Sequence, residues 1–275
     1  MKLLPVVLGL LVITSCAAQV QTQRIELDTA PLPALPPTAS KSIPFCPEGM
    51  IHVNGEFCPA VEQKCLQWTD KNQSAGANSG IGPMRCAEFE PSKCLAAREH
   101  KRFCIDKYEW PNKEGELPPV SMDWHEAKQS CQKVGKRLCT ATEWTFACEG
   151  EGMKPYPYGD GLHRDATACN IDRESMNPSL PRSEWPKHYK GVPSGSMKAC
   201  VSPFGVFDMT GNVDEWVVNV GGRTDGDPYV SGLKGGYWGP IIARCRPMTT
   251  VHGPLHSFYQ NGFRCCSNAP ELKSF

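Results

Sequence analysis

Cysteine is the residue type in this sequence that could carry the most chemistry. Fifteen of the 275 residues are cysteines, and thiolates can bind soft metals, exchange electrons or join as disulfides. If Cys16 is modified at the mature N-terminus, 14 cysteines remain. An even number favours a set of up to seven disulfides, which persist outside the reducing cytosol.

Two histidines have the spacing of a helical metal site. His252 and His256 are four residues apart, but Gly253 and Pro254 between them disfavour a helix. A zinc ion would also need further ligands, which the surrounding sequence does not place. We therefore expect these histidines to pack or to face solvent.

The composition indicates a globular protein without a strong preference for charged partners. Lys plus Arg and Asp plus Glu both number 29, so neither sign of charge dominates. This balance argues against a nucleic-acid groove and against a partner attracted by charge alone. Apolar residues make up 40% of the chain and charged residues 21%, as in folded domains.

The N-terminus has the pattern of a secretory signal. Lys2 is followed by an apolar run over residues 3–13, which is too short to cross a membrane as a helix. We predict a signal peptide over residues 1–15. The segment Ile-Thr-Ser-Cys at residues 13–16 resembles a bacterial lipobox, which implies a lipid on Cys16. Ordinary cleavage beside this cysteine is the alternative.

Residues 16–45 are rich in glutamine and then in proline. Such a stretch buries little apolar area and is stiffened by its prolines. We predict a tether between the lipidated cysteine and the folded part. These features together predict a lipoprotein anchored in a membrane of the bacterial cell envelope, outside the cytoplasm.

Two helices are predicted in an otherwise loop-rich chain. Ser121 has the position of an N-cap for a helix over Met122–Val134. Thr140 and Glu143 fit a capping box that opens a second helix, which Gly150 ends. Two helices among turns and short strands predict a compact, irregular α+β domain.

The part of the chain over residues 46–99 is rich in cysteine and poor in regular periodicity. Asn54 and Gly55 lie in the middle of Ile51–Phe57 and favour a tight turn between two short strands. We expect this part to be held together by disulfides rather than by a large core of its own.

Seven short motifs follow one another along the rest of the chain. They are Phe103–Glu109, Gly135–Leu138 with Glu143-Trp144, Tyr158-Gly159, Cys169–Ile171, Gly205–Trp216, Lys234–Gly236 and Gly262–Cys265. In this order they resemble the formylglycine-generating enzyme (sulfatase-modifying factor) family, whose domain has a C-type-lectin-like fold. The resemblance covers about residues 100–266, and we expect the family domain to occupy residues 100–270.

The resemblance implies two disulfides, Cys131–Cys265 and Cys148–Cys245. Crosslinks over loops of this length stabilise most in the chain-entropy model, by about 4 kcal/mol each. No family counterpart assigns the other ten cysteines, and their pairing stays open. They are Cys46, Cys58, Cys65, Cys86, Cys94, Cys104, Cys139, Cys169, Cys200 and Cys266.

The family's oxidase chemistry uses a nearby pair of cysteines that bind copper. In the family they lie between the Gly-Gly turn and the motif matching Arg244-Cys245. The corresponding segment of this sequence, residues 237–243, is several residues shorter than in the family and contains no cysteine. Glycine, proline and isoleucine side chains offer no ligand for a soft metal. We therefore expect neither copper nor a catalytic residue of the family's kind.

The resemblance also implies a structural calcium site. Its ligands would be the side chains of Asp208 and Glu215 and the carbonyls of Gly211 and Val213, hard oxygen donors of the kind Ca²⁺ prefers. The alternative is a charged turn beside the buried Trp216.

A second calcium site of the family matches the side chain of Asn170 and the carbonyl of Ile171. Its downstream partners do not align, and Glu184 is a guess. Asp106 and Glu109 form the family's Asp-x-x-Glu motif. We expect them to stabilise the backbone near the end of a strand rather than to act as an acid–base pair.

Seven residues fall where the family lines its substrate cleft, and we expect the Tyr-Trp pair among them to be exposed. Such a cleft could bind a peptide, a protein or a glycan; a variable surface is the alternative. The residues are Tyr237, Trp238, Arg246, His252, His256, Tyr259 and Gln260.

Two functions follow from the sequence. The first is a lipid-anchored, calcium-stabilised binding or surface module without the family's catalytic chemistry. The alternative is an oxidase or other modifying enzyme of the same superfamily, acting on a periplasmic peptide or metabolite. We expect no nucleic-acid partner.

Overall fold

The computed structural model describes residues 45–69, 85–174 and 179–270, which contain three short helices and twelve strands. The helices are α1 (Trp124–Lys133), α2 (Ala141–Glu149) and α3 (Trp185–His188), the last preceded by a 3₁₀ turn at Arg182–Glu184. The strands are β1 (Met50–Phe57), β2 (Val61–Glu62), β3 (Cys65–Trp68), β4 (Cys86–Phe89), β5 (Lys93–Cys94), β6 (Glu99–Asp106), β7 (Arg137–Leu138), β8 (Asp214–Val218), β9 (Ser231–Lys234), β10 (Met248–Thr249), β11 (Asn261–Phe263) and β12 (Cys265–Asn268).

The first sheet has the strand order β1-β6-β12-β7 and is antiparallel throughout. It joins the start of the described region, at β1, to its end, at β12. The cysteine-rich residues 46–99 and the residues that follow them therefore share one sheet. Two further pairs, β2 with β5 and β3 with β4, lie within the cysteine-rich part.

The predicted turn at Asn54-Gly55 is wrong. Both residues lie inside β1, where Asn54 faces Arg102 and Gly55 faces Lys101 of β6. Gly55 lies close to a side chain rather than in a turn. A Cβ at Gly55 would lie 2.5 Å from a carboxylate oxygen of Glu151, and that oxygen accepts a hydrogen bond from the Glu56 amide at 2.8 Å.

The second sheet has the order β10-β9-β8-β11 and carries most of the residues discussed below. β8 pairs with β9 antiparallel and with β11 parallel, so that Glu215 faces Gly262 in register. Residues of a strand alternate between faces. Glu215 and Trp216 therefore project to opposite sides of the sheet, and both side chains are buried.

Helix α1 begins two residues later than predicted. The side chain of Asp123, not of Ser121, accepts the bond from the Glu126 amide, and Glu126 bonds back to Asp123 as a capping box. Ser121 has φ +62°, outside the helical region. Val134 is the C-cap rather than a helical residue, and it is 51% exposed.

Helix α2 begins at the predicted capping box. The Thr140 side chain accepts a bond from the Glu143 amide, and Glu143 bonds back to the Thr140 amide. Gly150 ends the helix, as predicted. Residues 144–149 of α2 are buried. Trp144 and Phe146 belong to the largest core cluster, which also contains residues of both sheets.

Every cysteine within the described residues belongs to a disulfide. The two bridges that the resemblance implied are both present, and each closes a long loop, of 134 and 97 residues. The seven bridges are Cys46–Cys104, Cys58–Cys94, Cys65–Cys86, Cys131–Cys265, Cys139–Cys266, Cys148–Cys245 and Cys169–Cys200.

The architecture is an irregular, loop-rich α+β domain crosslinked by disulfides, as the sequence predicts. Among the residues that the structure describes, no helix has the length and apolar character needed to span a membrane. The predicted signal peptide, Cys16 and almost all of the tether lie outside the described residues.

Candidate functional site

The centre of the domain holds a buried ion pair between Glu215 of β8 and Arg264. Arg264 donates from Nε and Nη2 to the two carboxylate oxygens, at 2.7 and 2.6 Å. Trp144 Nε1 donates to the same Oε2, at 2.7 Å. Both charged side chains are at most 1% exposed. This pair joins α2, the second sheet and the start of β12.

A tight turn places Asp208 beside this pair. Asp208, Gly211 and Asn212 all have positive φ, at +56°, +78° and +59°. Glycine is obligatory at 211, since a Cβ there would lie 2.3 Å from the Asn170 carbonyl oxygen. Asp208 is buried, and its Oδ2 accepts a bond from the Gly195 amide at 2.6 Å.

Glu109 also faces this turn. The sequence predicts a structural role for it, but its contacts make it a functional candidate. Its Oε2 accepts bonds from Ser194 Oγ, at 2.7 Å, and from Asn212 Nδ2, at 2.8 Å. Its Oε1 is buried and has no hydrogen-bond partner. The expected contact with backbone near the strand end belongs to Asp106 alone, whose Oδ2 accepts from the Cys265 amide at 3.1 Å.

We refer to Glu109, Asp208, Glu215 and Arg264 as the charged cluster. Three carboxylates face one guanidinium, and burying unbalanced negative charge is costly. Burial raises the pKa of Glu109 well above its usual value, with the nearby Asp208 and Glu215 adding to the effect. Burial also raises the pKa of Asp208, to about 6. A bound cation or bound protons would balance this charge.

The donors of the charged cluster are compatible with a calcium ion. Glu215 Oε2 already accepts two bonds, but its Oε1 accepts one and has a further lone pair. Glu109 Oε1 is unpartnered. Within the described residues, no three His, Cys, Asp or Glu side chains converge enough to hold a metal by themselves. Calcium here would therefore need backbone carbonyls, as expected for Gly211 and Val213.

The residues of the second expected calcium site make other contacts. Asn170 Nδ2 donates to Lys190 O, at 2.9 Å, and to Asn212 Oδ1, at 3.0 Å. Its Oδ1 accepts from Arg173 Nε at 3.2 Å, and Ile171 is fully buried. Glu184, in the 3₁₀ turn, forms a surface ion pair with Lys187 at 2.9 Å.

The expectation that Tyr237 and Trp238 are exposed is wrong. They are 9% and 0% exposed, because they pack into an aromatic cluster with Trp185 and Tyr259. The Tyr237 and Tyr259 hydroxyls lie 3.5 Å apart. Aromatic rings therefore occupy the segment in which the family carries its copper-binding cysteines.

The other expected cleft residues lie in separate places. Arg246 forms a two-bond ion pair with the buried Glu149, at 2.7 and 2.5 Å. His252 and His256 stack with ring centroids 4.0 Å apart, outside any helix, and burial lowers the pKa of both, that of His256 to about 4. Gln260 has a buried, unpartnered Oε1.

The surface beside the aromatic cluster forms a hollow of about 340 Å³. We call it the aromatic hollow. Arg182 lies at its edge, with its guanidinium 5.1 Å from the Trp185 ring centroid. Tyr259 is the one expected cleft residue in its lining; His256 and Arg246 line two other hollows. The lining residues are Val120, Ser121, Arg182, Trp185, Pro186, Tyr189 and Tyr259.

Comparison with known proteins gives a family match over most of the chain. Residues 61–269 match the family described as the Sulfatase-modifying factor enzyme 1-like domain. A Bos taurus protein named Inactive C-alpha-formylglycine-generating enzyme 2 is 32% identical over 168 residues, which cover 56% of this chain and 51% of that protein. The Mus musculus protein of the same name is 31% identical over 172 residues, covering 58% and 51%. The chain thus spans about half the length of these curated relatives.

A solved structure shares the fold. The structure titled Crystal Structure of CarF aligns with a TM-score of 0.51 and 15% identity, over 80% of this chain and 97% of that one. At this identity the likeness concerns the fold alone. It agrees with the irregular α+β architecture described above.

Proposed function

Since this chain belongs to the sulfatase-modifying factor family, we propose that it is a non-catalytic member that binds a ligand outside the cytoplasm. Its architecture is the C-type-lectin-like α+β fold of that family. Similarity to relatives named as inactive supports a non-catalytic role. Seven disulfides indicate an extracytoplasmic protein.

One observation carries the non-catalytic proposal, namely the use of the cysteines. All those within the described residues are in disulfides, and residues 237–243 contain none. Copper chemistry of the family's kind needs a free thiolate pair beside the substrate. Tyr237 and Trp238 instead contribute buried rings to the aromatic cluster.

The aromatic hollow is the surface that best supports ligand binding. Aromatic faces offer stacking and apolar contact, and Arg182 adds a positive charge at the edge. This lining suits a peptide with apolar or aromatic side chains, or a glycan. A peptide library and a glycan array are the two screens to run, with Trp185→Ala as the variant expected to lose the signal.

Calcium is proposed as a structural ion of the charged cluster. The groups that would hold it are the side chains of Asp208 and Glu215 with the carbonyls of Gly211 and Val213. The ion would supply positive charge that offsets the buried carboxylates, and it would have no part in a reaction. Asn170 and Ile171 remain candidates for a second ion.

A lipid on Cys16 is proposed as the membrane anchor, supported by the lipobox-like sequence at residues 13–16. Cys16→Ser should then move the protein from the membrane fraction to the soluble fraction. A wild-type protein that is already soluble after expression in bacteria would contradict the anchor.

Metal analysis of the purified full chain tests the proposed function. We expect about one or two calcium ions per chain and neither copper nor iron. Stoichiometric copper bound by the native protein would contradict the non-catalytic proposal. A matched sample of Cys58→Ser, which frees the partly exposed Cys94, shows whether the assay detects copper at an accessible thiol of this domain.

A further inference from the structure

Four largely buried arginines can be compared within this domain, and three of them have a carboxylate. Arg264 pairs with Glu215, Arg246 with Glu149 and Arg164 with Asp172. In each pair Nε and Nη2 donate to the two carboxylate oxygens, at 2.5 to 3.0 Å. These are the two-bond geometries in which a guanidinium matches a planar carboxylate.

Arg244 is the exception. Its Nη1 donates to the amide oxygen of Gln63 at 3.1 Å, and its guanidinium lies 5.1 Å from the Phe89 ring centroid. Its Nε is buried and has no hydrogen-bond partner. Burial lowers the pKa of Arg244, and no carboxylate acts against this effect. A positive charge withdrawn from water without a counter-charge is costly.

Arg244 lines a hollow of about 430 Å³, which we call the basic hollow. Its lining contains two arginines and no acidic residue, and the guanidinium of Arg246 is already paired with Glu149. The rest of the lining is largely apolar. The lining residues are Val61, Gln63, Ile242, Arg244, Arg246 and Pro247. The aromatic hollow shares none of them.

We propose that the basic hollow binds a small carboxylate that has a short apolar body, with the carboxylate on Arg244. The Arg244 guanidinium has no carboxylate partner, and its Nη end, at the hollow, would donate to a planar monoanion, since Nε is buried. A phosphate dianion would leave negative charge unbalanced. The apolar side chains of Val61, Ile242 and Pro247 would contact the body of the ligand.

Calorimetric titration of the full chain tests the ligand class. The probes are 3-methylbutyrate, acetate and inorganic phosphate at equal ionic strength. We expect 3-methylbutyrate to bind more tightly than acetate, because it adds apolar contact, and phosphate to bind more weakly than 3-methylbutyrate. Phosphate as the tightest of the three, or no heat from any of them, would overturn the proposal.

Two variants assign the site. Arg244→Met should weaken 3-methylbutyrate binding at least about tenfold, since the charged partner is lost. Arg182→Met, in the aromatic hollow, should leave it unchanged. Equal losses in both variants, or a loss in Arg182→Met alone, would place the binding elsewhere and overturn the assignment.

Thermal unfolding without ligand tests separately whether the Arg244 charge lacks a partner. Arg244→Met removes an unpaired buried cation, so its midpoint should equal or exceed that of the wild type. Arg246→Met leaves Glu149 buried without its partner, so its midpoint should fall. A fall in Arg244→Met as large as in Arg246→Met would show that the Arg244 charge is already balanced, and the inference would fail.

Discussion

The charged cluster is closed and comes from the motifs that carry the family resemblance, whereas the aromatic hollow is open and comes from residues outside them. Glu215 and Arg264 are at most 1% exposed and hold three parts of the chain together. Trp185 and Tyr189 instead line a hollow of about 340 Å³. The family motifs therefore supply the buried scaffold, while the proposed binding surface comes from residues outside those motifs.

Breaking the buried ion pair between Arg264 and Glu215 should have the largest effect on stability. Arg264→Leu leaves Glu215 buried without its partner, so we expect the free energy of unfolding to fall by about 3–5 kcal/mol. Urea unfolding measures it. Lys198→Leu, which breaks an exposed pair with Glu114, is the control and should change little. Equal effects of the two variants would contradict the structural role of the charged cluster.

The pH dependence of stability tests the unbalanced charge in the cluster. The pKa of Asp208 is raised from 3.8 to about 6 in the folded protein, so the folded state binds the proton more tightly than the unfolded state. With a chelator present, the contribution of Asp208 to the free energy of unfolding is therefore largest below about pH 4. It falls by up to about 3 kcal/mol as the pH rises past 6. Asp208→Asn should flatten this part of the profile; a wild-type profile that rises there would contradict the account.

Calcium should reverse part of that loss. An ion present at about 100 times its dissociation constant stabilises the folded state by about 2.7 kcal/mol. Thermal unfolding at pH 7 with calcium or chelator measures the shift, and Asp208→Ala with Glu215→Ala, which removes both side-chain ligands, should abolish it. A shift that survives in this variant would show that the ion binds elsewhere.

In contrast to Arg264→Leu, a substitution in the aromatic hollow should change the stability of the domain little. Arg182 is exposed and donates one long bond, of 3.3 Å, to the Ser257 carbonyl. Arg182→Met should change the free energy of unfolding by less than about 0.5 kcal/mol, measured beside Arg264→Leu. A large loss of stability in Arg182→Met would show that the hollow contributes to the stability of the fold and is not a free surface.

Local rules predicted part of this structure from sequence. The capping box at Thr140 and Glu143 needs four neighbouring residues and was found, as was the α+β class. The sequence predicts a start of the first helix that is two residues too early. Ser121 and Asp123 both have capping side chains, and the backbone conformation decides between them. Gly55 was assigned to a turn, because the approach of Glu151 is not visible in the local sequence.

Features that depend on distant partners were not accessible in this way. The burial of Tyr237 and Trp238 follows from packing against Trp185 and Tyr259, which are distant in sequence. The unpartnered Oε1 of Glu109 and the unpaired guanidinium of Arg244 became apparent once every neighbouring group was located. A sequence pattern names a charged residue, but it does not show whether a counter-charge reaches it.

The most direct test of the account is a count of free thiols in the full chain carrying Cys16→Ser. The protein is exported to an oxidising compartment, unfolded without reductant, alkylated and weighed by mass spectrometry. The account predicts no alkylated cysteine, because the remaining 14 are all in disulfides. Alkylation of two cysteines, with Cys245 as one of them, would restore thiol chemistry beside residues 237–243 and contradict the non-catalytic assignment.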